Sequence, residues 1–323
     1  MKLFIKFFIF FYIFFSFNKI SISEESLFLE DNFFPEGIAV SKQGDIFVGS
    51  LKENRIVKFP NGKKKPEEFV PPAAHGLLSV IGIIVDDKHK ILWACSSNPG
   101  VTNYPSNNPV SLKAFDLVSG DIIDSYPFPG GGFCNDITID SKDNVYVTDS
   151  FNPRILRLNK SKNRLEVWLE NKLFEGEGFN LNGITYSNNS IYTVKMNSGE
   201  LFKVNVSNNV KRINLIKIDL PRKLNAPDGI KAINKNNLLV VENKGNLTKI
   251  NLSSTIKLKI LRDNLDTPTT VAIRGGTAWV LQAQFGHLFG DEKDISPGPF
   301  EIIGIHYKPS ILTTLKKLVD FIN

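Results

Sequence analysis

One pattern recurs six times along this chain, and a repeat of this length leaves few folds open. The first half of each unit pairs a polar or small start with alternating apolar residues. These halves are Glu36-Gly37-Ile38-Ala39-Val40, Ile81-Gly82-Ile83-Ile84-Val85, Asn135-Asp136-Ile137-Thr138-Ile139, Asn182-Gly183-Ile184-Thr185-Tyr186, Asp228-Gly229-Ile230-Lys231-Ala232 and Thr269-Thr270-Val271-Ala272-Ile273. Their starts fall 41 to 54 residues apart. A second apolar run follows each, as in Ile46-Phe47-Val48, Ile91-Leu92-Trp93 and Val145-Tyr146-Val147. Turn residues such as Gln43-Gly44-Asp45 and Lys142-Asp143-Asn144 lie between the runs, which is hairpin chemistry. Four-stranded units of about 40 to 50 residues are propeller blades. The expected fold is therefore all-β, a six-bladed β-propeller of four-stranded blades. Ser26 to Glu30 resembles the outer strands before later units, such as Leu165 to Leu169. That predicts a ring closed by the N-terminal strand, which protects the sheet edges. The propeller is expected over 24–323, with the tail at 309–323, helical in spacing, packed outside.

The repeat phase turns distant residues into neighbours. Glu36, Ile81, Asn135, Asn182, Asp228 and Thr269 begin the strands that line a propeller's channel. The ends of the second strands form another column, Ser50, Cys95, Asp149, Lys195, Glu242 and Gln282. Both columns are expected to ring one mouth. Glu36, Asn182 and Asp228 would present oxygen to the axis, and hard oxygen ligands suit calcium or magnesium better than zinc. Carboxylates gathered at a channel mouth are costly without a cation.

The same phase brings Cys95 and Cys134, the only two cysteines, from neighbouring blades toward each other. The sequence leaves open whether they bond, and their number excludes a cysteine zinc site. Of the four histidines, His89 and His306 read as structural. His75 and His287 lie in loops leading to the mouth and are candidates for acid–base or substrate contacts.

Residues 1–23 read as a secretory signal peptide. Lys2 and Lys6 precede an aromatic and Ile-rich run from Phe7 to Phe17, and Ser21-Ile22-Ser23 supplies a small-residue exit. The protein is expected to be exported, periplasmic or secreted, with no membrane association after cleavage. Loss of Lys2, Lys6 and Lys19 lowers the formal charge from +6 to +3. Apart from Lys63-Lys64-Lys65 the basic residues are scattered, so no nucleic-acid partner is expected. A monomer acting on a small molecule is the expected form.

Four motifs in order, Pro35-Glu36-Gly37, Asn135-Asp136, Asn182-Gly183 and Pro227-Asp228-Gly229, resemble those of the regucalcin and gluconolactonase family, also called the senescence marker protein family. The resemblance covers about residues 26 to 308. It implies a divalent metal, calcium first with magnesium, manganese or zinc as substitutes, on Glu36, Asn182 and Asp228. It implies that Asn135 holds water or substrate and that Asp228 is the general base. The sugar-lactone members carry Arg where this chain has Phe133. That departure points to a less polar ester or lactone, with Phe133 as a substrate contact. Paraoxonase-type lactonases share the architecture and use mouth histidines, which keeps His75 as an alternative base.

The expected function is metal-dependent hydrolysis of a small ester or lactone at the axis, with Asn135 helping to stabilise the oxyanion. Ser96 to Val110 and Gln284 to Pro299 would wall the pocket. No Gly-x-Ser-x-Gly elbow is present. One rival is a non-catalytic binding propeller with a structural calcium. Another is a strictosidine-synthase-like enzyme, for which Glu242 is the available mouth acid.

Overall fold

Tight hairpins set the register of this protein. Ser187 pairs with Ser190 across Asn188 and Asn189, both with positive φ, 49° and 56°. A two-residue turn of that kind matches the twist of the strands it joins, and asparagine tolerates it well. In the computed structural model, residues 25–206 and 213–308 are described. The predicted signal peptide at 1–23 and the tail at 309–323 lie outside the described residues.

Six four-stranded antiparallel sheets make up the fold. Their innermost strands are Pro35–Val40, Ser79–Asp86, Cys134–Ile139, Leu181–Ser187, Pro227–Asn234 and Pro268–Arg274, and each stands beside the next blade's inner strand. These sheets are blades 1 to 6. The protein is a six-bladed β-propeller. Glu25–Leu29 pairs with Phe300–His306 as the outer strand of blade 6, so the N-terminal strand closes the ring as the repeat predicts.

Apolar residues fill the spaces between blades. Phe47, Ile56 and Phe69 of blade 1 meet Val80, Leu92 and Phe115 of blade 2. Tyr146, Ile155 and Trp168 of blade 3 meet Ile184, Ile191 and Phe202 of blade 4. A strand buried on both faces reads as a near-continuous apolar run, which explains the weak alternation of the second strands.

Near the axis the inner strands approach too closely for side chains. A Cβ at Gly37 would stand 2.0 Å from the carbonyl oxygen of Ile81, and one at Gly183 would stand 2.3 Å from that of Asp228. The glycine that follows the first-column residue in four blades is thus a packing requirement. Blades 3 and 6 carry Asp136 and Thr270 there instead. Side chains also stitch blade to blade: Thr148 Oγ1 donates to the Asn182 carbonyl (2.7 Å), and Thr269 Oγ1 to the Glu36 carbonyl (3.1 Å).

Candidate functional site

All six inner strands lose register with their neighbours at the same place. The breaks fall between Pro35 and Gly37, Val80 and Ile83, Cys134 and Ile137, Leu181 and Ile184, Pro227 and Ile230, and Pro268 and Val271. A bulge re-aims the side chain it carries. The residues inside these breaks are the first column, and the bulge turns that column onto the axis.

Glu36, Ile81, Asn135, Asn182 and Asp228 line one axial cavity of about 300 Å3. Its wall is apolar, with Leu51, Pro99, Phe133, Phe179, Phe285 and Phe289. Phe133, Phe151 and Phe179 pack on one another with ring centroids 5.0 to 5.3 Å apart, and Phe285 and Phe289 stand edge to face. Phe179 and Phe289 remain 39% and 50% exposed, so aromatic surface forms the rim of the mouth. A more open hollow of about 500 Å3 shares Phe179 and Met196 with it.

The polar end of the cavity is poor in hydrogen-bond donors. The Glu36 carboxylate is 8% exposed and accepts no hydrogen bond among the described residues. Asp228 receives only a 3.5 Å contact from Asn243 Nδ2 and a bond from Asn182. Asn135 Nδ2 donates to Ser150 Oγ (2.9 Å), and Asn182 Nδ2 lies 3.5 Å from Met196 Sδ. The amide nitrogens are thereby engaged, and the two amide oxygens accept nothing among the described residues.

Burial pushes the Glu36 carboxyl well above its ordinary range, and Asp228 and Asp136 push it further, against a smaller lowering by Lys231. Burial, then Asp136, also raises Asp228, against hydrogen bonds from Asn182 and Asn243. Two acids raised by burial and by neighbouring carboxylates, beside two donor-free amide oxygens, form an oxygen-only set that a divalent cation would satisfy. The residues therefore fit a hard metal ion. No group of three or more His, Cys, Asp or Glu placed to hold a metal ion together occurs among the described residues, so the set depends on its amide oxygens.

The second column differs from expectation. In blade 2, Val80 pairs with Ser96, which makes Ser96, not Cys95, the equivalent of Ser50. One residue of slip reverses the face a strand residue points to. Cys95 instead points into the core between blades 2 and 3 and is bonded to Cys134.

Nor does the second column line the cavity. Asp149 takes Arg154 Nε at 2.9 Å and the Phe133 N–H at 2.9 Å. Lys195 Nζ donates to the carbonyls of Leu173 and Glu175. Glu242 is fully buried in a two-pronged pair with Arg222, both contacts 2.7 Å, with further bonds from Thr248 and the Asn225 N–H. Burial pushes its carboxyl up, but these partners outweigh it and hold it below its ordinary range. These residues tie down loops, and Glu242 is not available as a mouth acid. The residues that do reach the cavity stand one position later, at Leu51, Met196 and Asn243.

Neither loop histidine lines the axial cavity. His75 sits at φ 55° in a short 3-10 turn, its ring 6.3 Å from Phe115, and Lys113 holds its carbonyl at 2.9 Å. His287 Nδ1 bonds the carbonyls of Ile295 and Glu292, at 2.9 and 3.1 Å, and staples its own loop. The general-base and substrate-contact expectations for them are not supported by their placement. Asn135 lines the cavity with one of its amide N–H groups engaged by Ser150.

No protein-family model matches the sequence, and neither does any curated protein. The fold does have solved counterparts. The chain is similar to a gluconolactonase from Xanthomonas campestris, with TM-score 0.61 and 12% identity over 87% of this chain and 90% of that one. It is similar to a luciferin-regenerating enzyme, with TM-score 0.62 and 15% identity over 88% and 97%. It is also similar to virginiamycin B lyase from Staphylococcus aureus, with TM-score 0.56 and 14% identity over 87% and 99%. At these identities the likeness establishes the six-bladed architecture.

Proposed function

We propose that this protein is a metal-dependent hydrolase of small, largely apolar esters or lactones, acting at the propeller axis. The observation that carries the reading is the oxygen-only cluster of Glu36, Asn182 and Asp228 at the floor of an aromatic-walled cavity. Glu36, Asn182 and Asp228 would hold the ion, calcium by preference, with Asn135 beside them. When bound, the ion supplies positive charge that polarises the substrate carbonyl and acidifies water. Asp228 would take the proton from the attacking water. Asn135 Oδ1, its amide fixed through Ser150, orients that water. The aromatic wall excludes bulk solvent and holds the apolar part of the substrate. The gluconolactonase counterpart supports this reaction class, although Phe133 disfavours a sugar acid.

The leader-like residues 1–23 and the Cys95–Cys134 bond both support an exported protein, since disulfides persist in oxidising compartments. The reading remains that of a monomer with a small-molecule substrate.

A substrate panel tests the specificity. With calcium present, aryl esters and alkyl-substituted lactones are expected to have kcat/KM at least about tenfold above sugar lactones, as one or two buried methylenes give. Phe133→Arg is expected to reverse or erase that ranking. Equal turnover of both classes by both proteins would show that the aromatic wall does not select substrate.

A further inference from the structure

Below the ligand oxygens lies a pair of charges that the hydrolysis scheme leaves without a task. Asp136 occupies the channel position where four other blades carry glycine, and it is 5% exposed. Its carboxylate accepts the N–H of Ile137 at 2.8 Å and that of Ile184, in the next blade, at 3.0 Å. Both oxygens are thereby turned from the cavity, and Asp136 does not line it. Lys231, three residues after Asp228 on the inner strand of blade 5, brings its Nζ to 3.6 Å from Asp136 Oδ2. This lysine is also partly buried, its side chain 18% exposed. At a distance of 3.6 Å the pair is loose, and so it is not explained as a tight structural bridge. Two backbone N–H groups already satisfy Asp136 without it.

The axis therefore carries three carboxylates, Glu36, Asp136 and Asp228, against one ammonium, Lys231. Glu36 is under the influence of all three others. With every group ionised the formal sum is −2. Glu36, more than nine-tenths buried and lining the cavity with its carboxylate unpartnered, is a second observation that points to a cation at the site.

We propose that Asp136 and Lys231 form a charge-setting layer beneath the ligands, which fixes the axial site at −2 and so matches it to divalent rather than trivalent ions. The proposal rests on the axial-metal reading above. Lys231 and Asp136 act through the field at the site and touch neither ion nor substrate. In a partly buried channel a unit charge is weakly screened, so its removal is felt by the ion in proportion to the ion's own charge. A trivalent ion gains more than a divalent one when Lys231 is removed, and loses more when Asp136 is neutralised.

The test compares calcium with terbium, a trivalent ion that also prefers oxygen ligands, by titration calorimetry and terbium luminescence on the full protein. In Lys231→Met, the preference for terbium over calcium is expected to rise about tenfold, as one weakly screened charge gives. In Asp136→Asn it is expected to fall by about the same factor. The double variant, with the formal sum restored to −2, should return to the native preference. A packing defect would weaken both ions alike and leave the ratio flat. Asp136 bridges blades 3 and 4, so its variant is the one at risk of misfolding, and Lys231→Met alone decides the matter. A ratio that stays within about twofold of native in Lys231→Met, while native protein binds calcium, would overturn the charge layer and leave the metal site standing. Native protein that binds neither ion would overturn the axial-metal reading and this proposal with it.

Discussion

Asp228→Ala is expected to lower kcat/KM for the best ester or lactone by about a thousandfold or more while leaving the propeller folded, since a general base alone contributes about 10^2 to 10^4. Asp228 also belongs to the oxygen set, so its loss removes a ligand as well as a proton acceptor. The fold does not rely on its side chain, whose partners are the 3.5 Å contact from Asn243 and the bond from Asn182. Without a cation, the variant should melt no lower than native protein, because a buried carboxylate next to Asp136 and Glu36 has been removed. Asp228→Asn separates the two roles. It keeps an oxygen for the ion but removes the base and one negative charge, so calcium should bind more weakly yet still saturate the site at higher concentration, while turnover is lost even at saturation. Steady-state kinetics beside melting curves with and without calcium check both variants. Turnover within tenfold of native in Asp228→Ala would move the base elsewhere.

Removing the disulfide has the largest expected effect on stability. Cys95 and Cys134 close a loop of 39 residues across blades 2 and 3. The chain-entropy model assigns such a closure about 4 kcal/mol. For a chain of this size that corresponds to a fall in Tm of about 6 °C in the double serine variant. The same bond anchors the site, since Phe133 and Asn135 flank Cys134 and both line the cavity. KM should therefore rise along with the loss of stability. Calorimetry of the variant against native protein measures the first effect, and substrate titration below the new Tm measures the second. An unchanged Tm would mean that these cysteines are not joined in solution.

The fold was legible in the sequence because six blades repeat one hairpin pattern, and repetition multiplies a signal that is weak in any single strand. Glu36, Asn135, Asn182 and Asp228 were legible for the same reason: phase alone places them on one ring. The bulges were not legible. A bulge is one unpaired residue, and nothing in Glu36-Gly37 or Asp228-Gly229 distinguishes it from an ordinary strand start. Regular pairing without bulges puts the second column at the mouth, yet it is the following residues, Leu51, Met196 and Asn243, that line the cavity. In blade 2, Ile81 replaces the polar start and blurred the register, so Cys95 was placed one residue out. The loop histidines were misplaced because loop direction depends on local bonds, such as those His287 makes to Ile295 and Glu292. Asp136 is legible in the sequence, since it breaks the column of Gly37, Gly82, Gly183 and Gly229.

In the proposed function, hydrolysis depends on a divalent ion held by the axial oxygens. The most direct measurement follows turnover of an aryl ester or alkyl lactone by metal-stripped protein during calorimetric titration with calcium. No turnover is expected at the start, and activity should rise with occupancy and saturate at one calcium per chain. Activity that ignores both chelation and added calcium would contradict it. One bound calcium with no turnover of any substrate would leave a binding propeller in place of an enzyme.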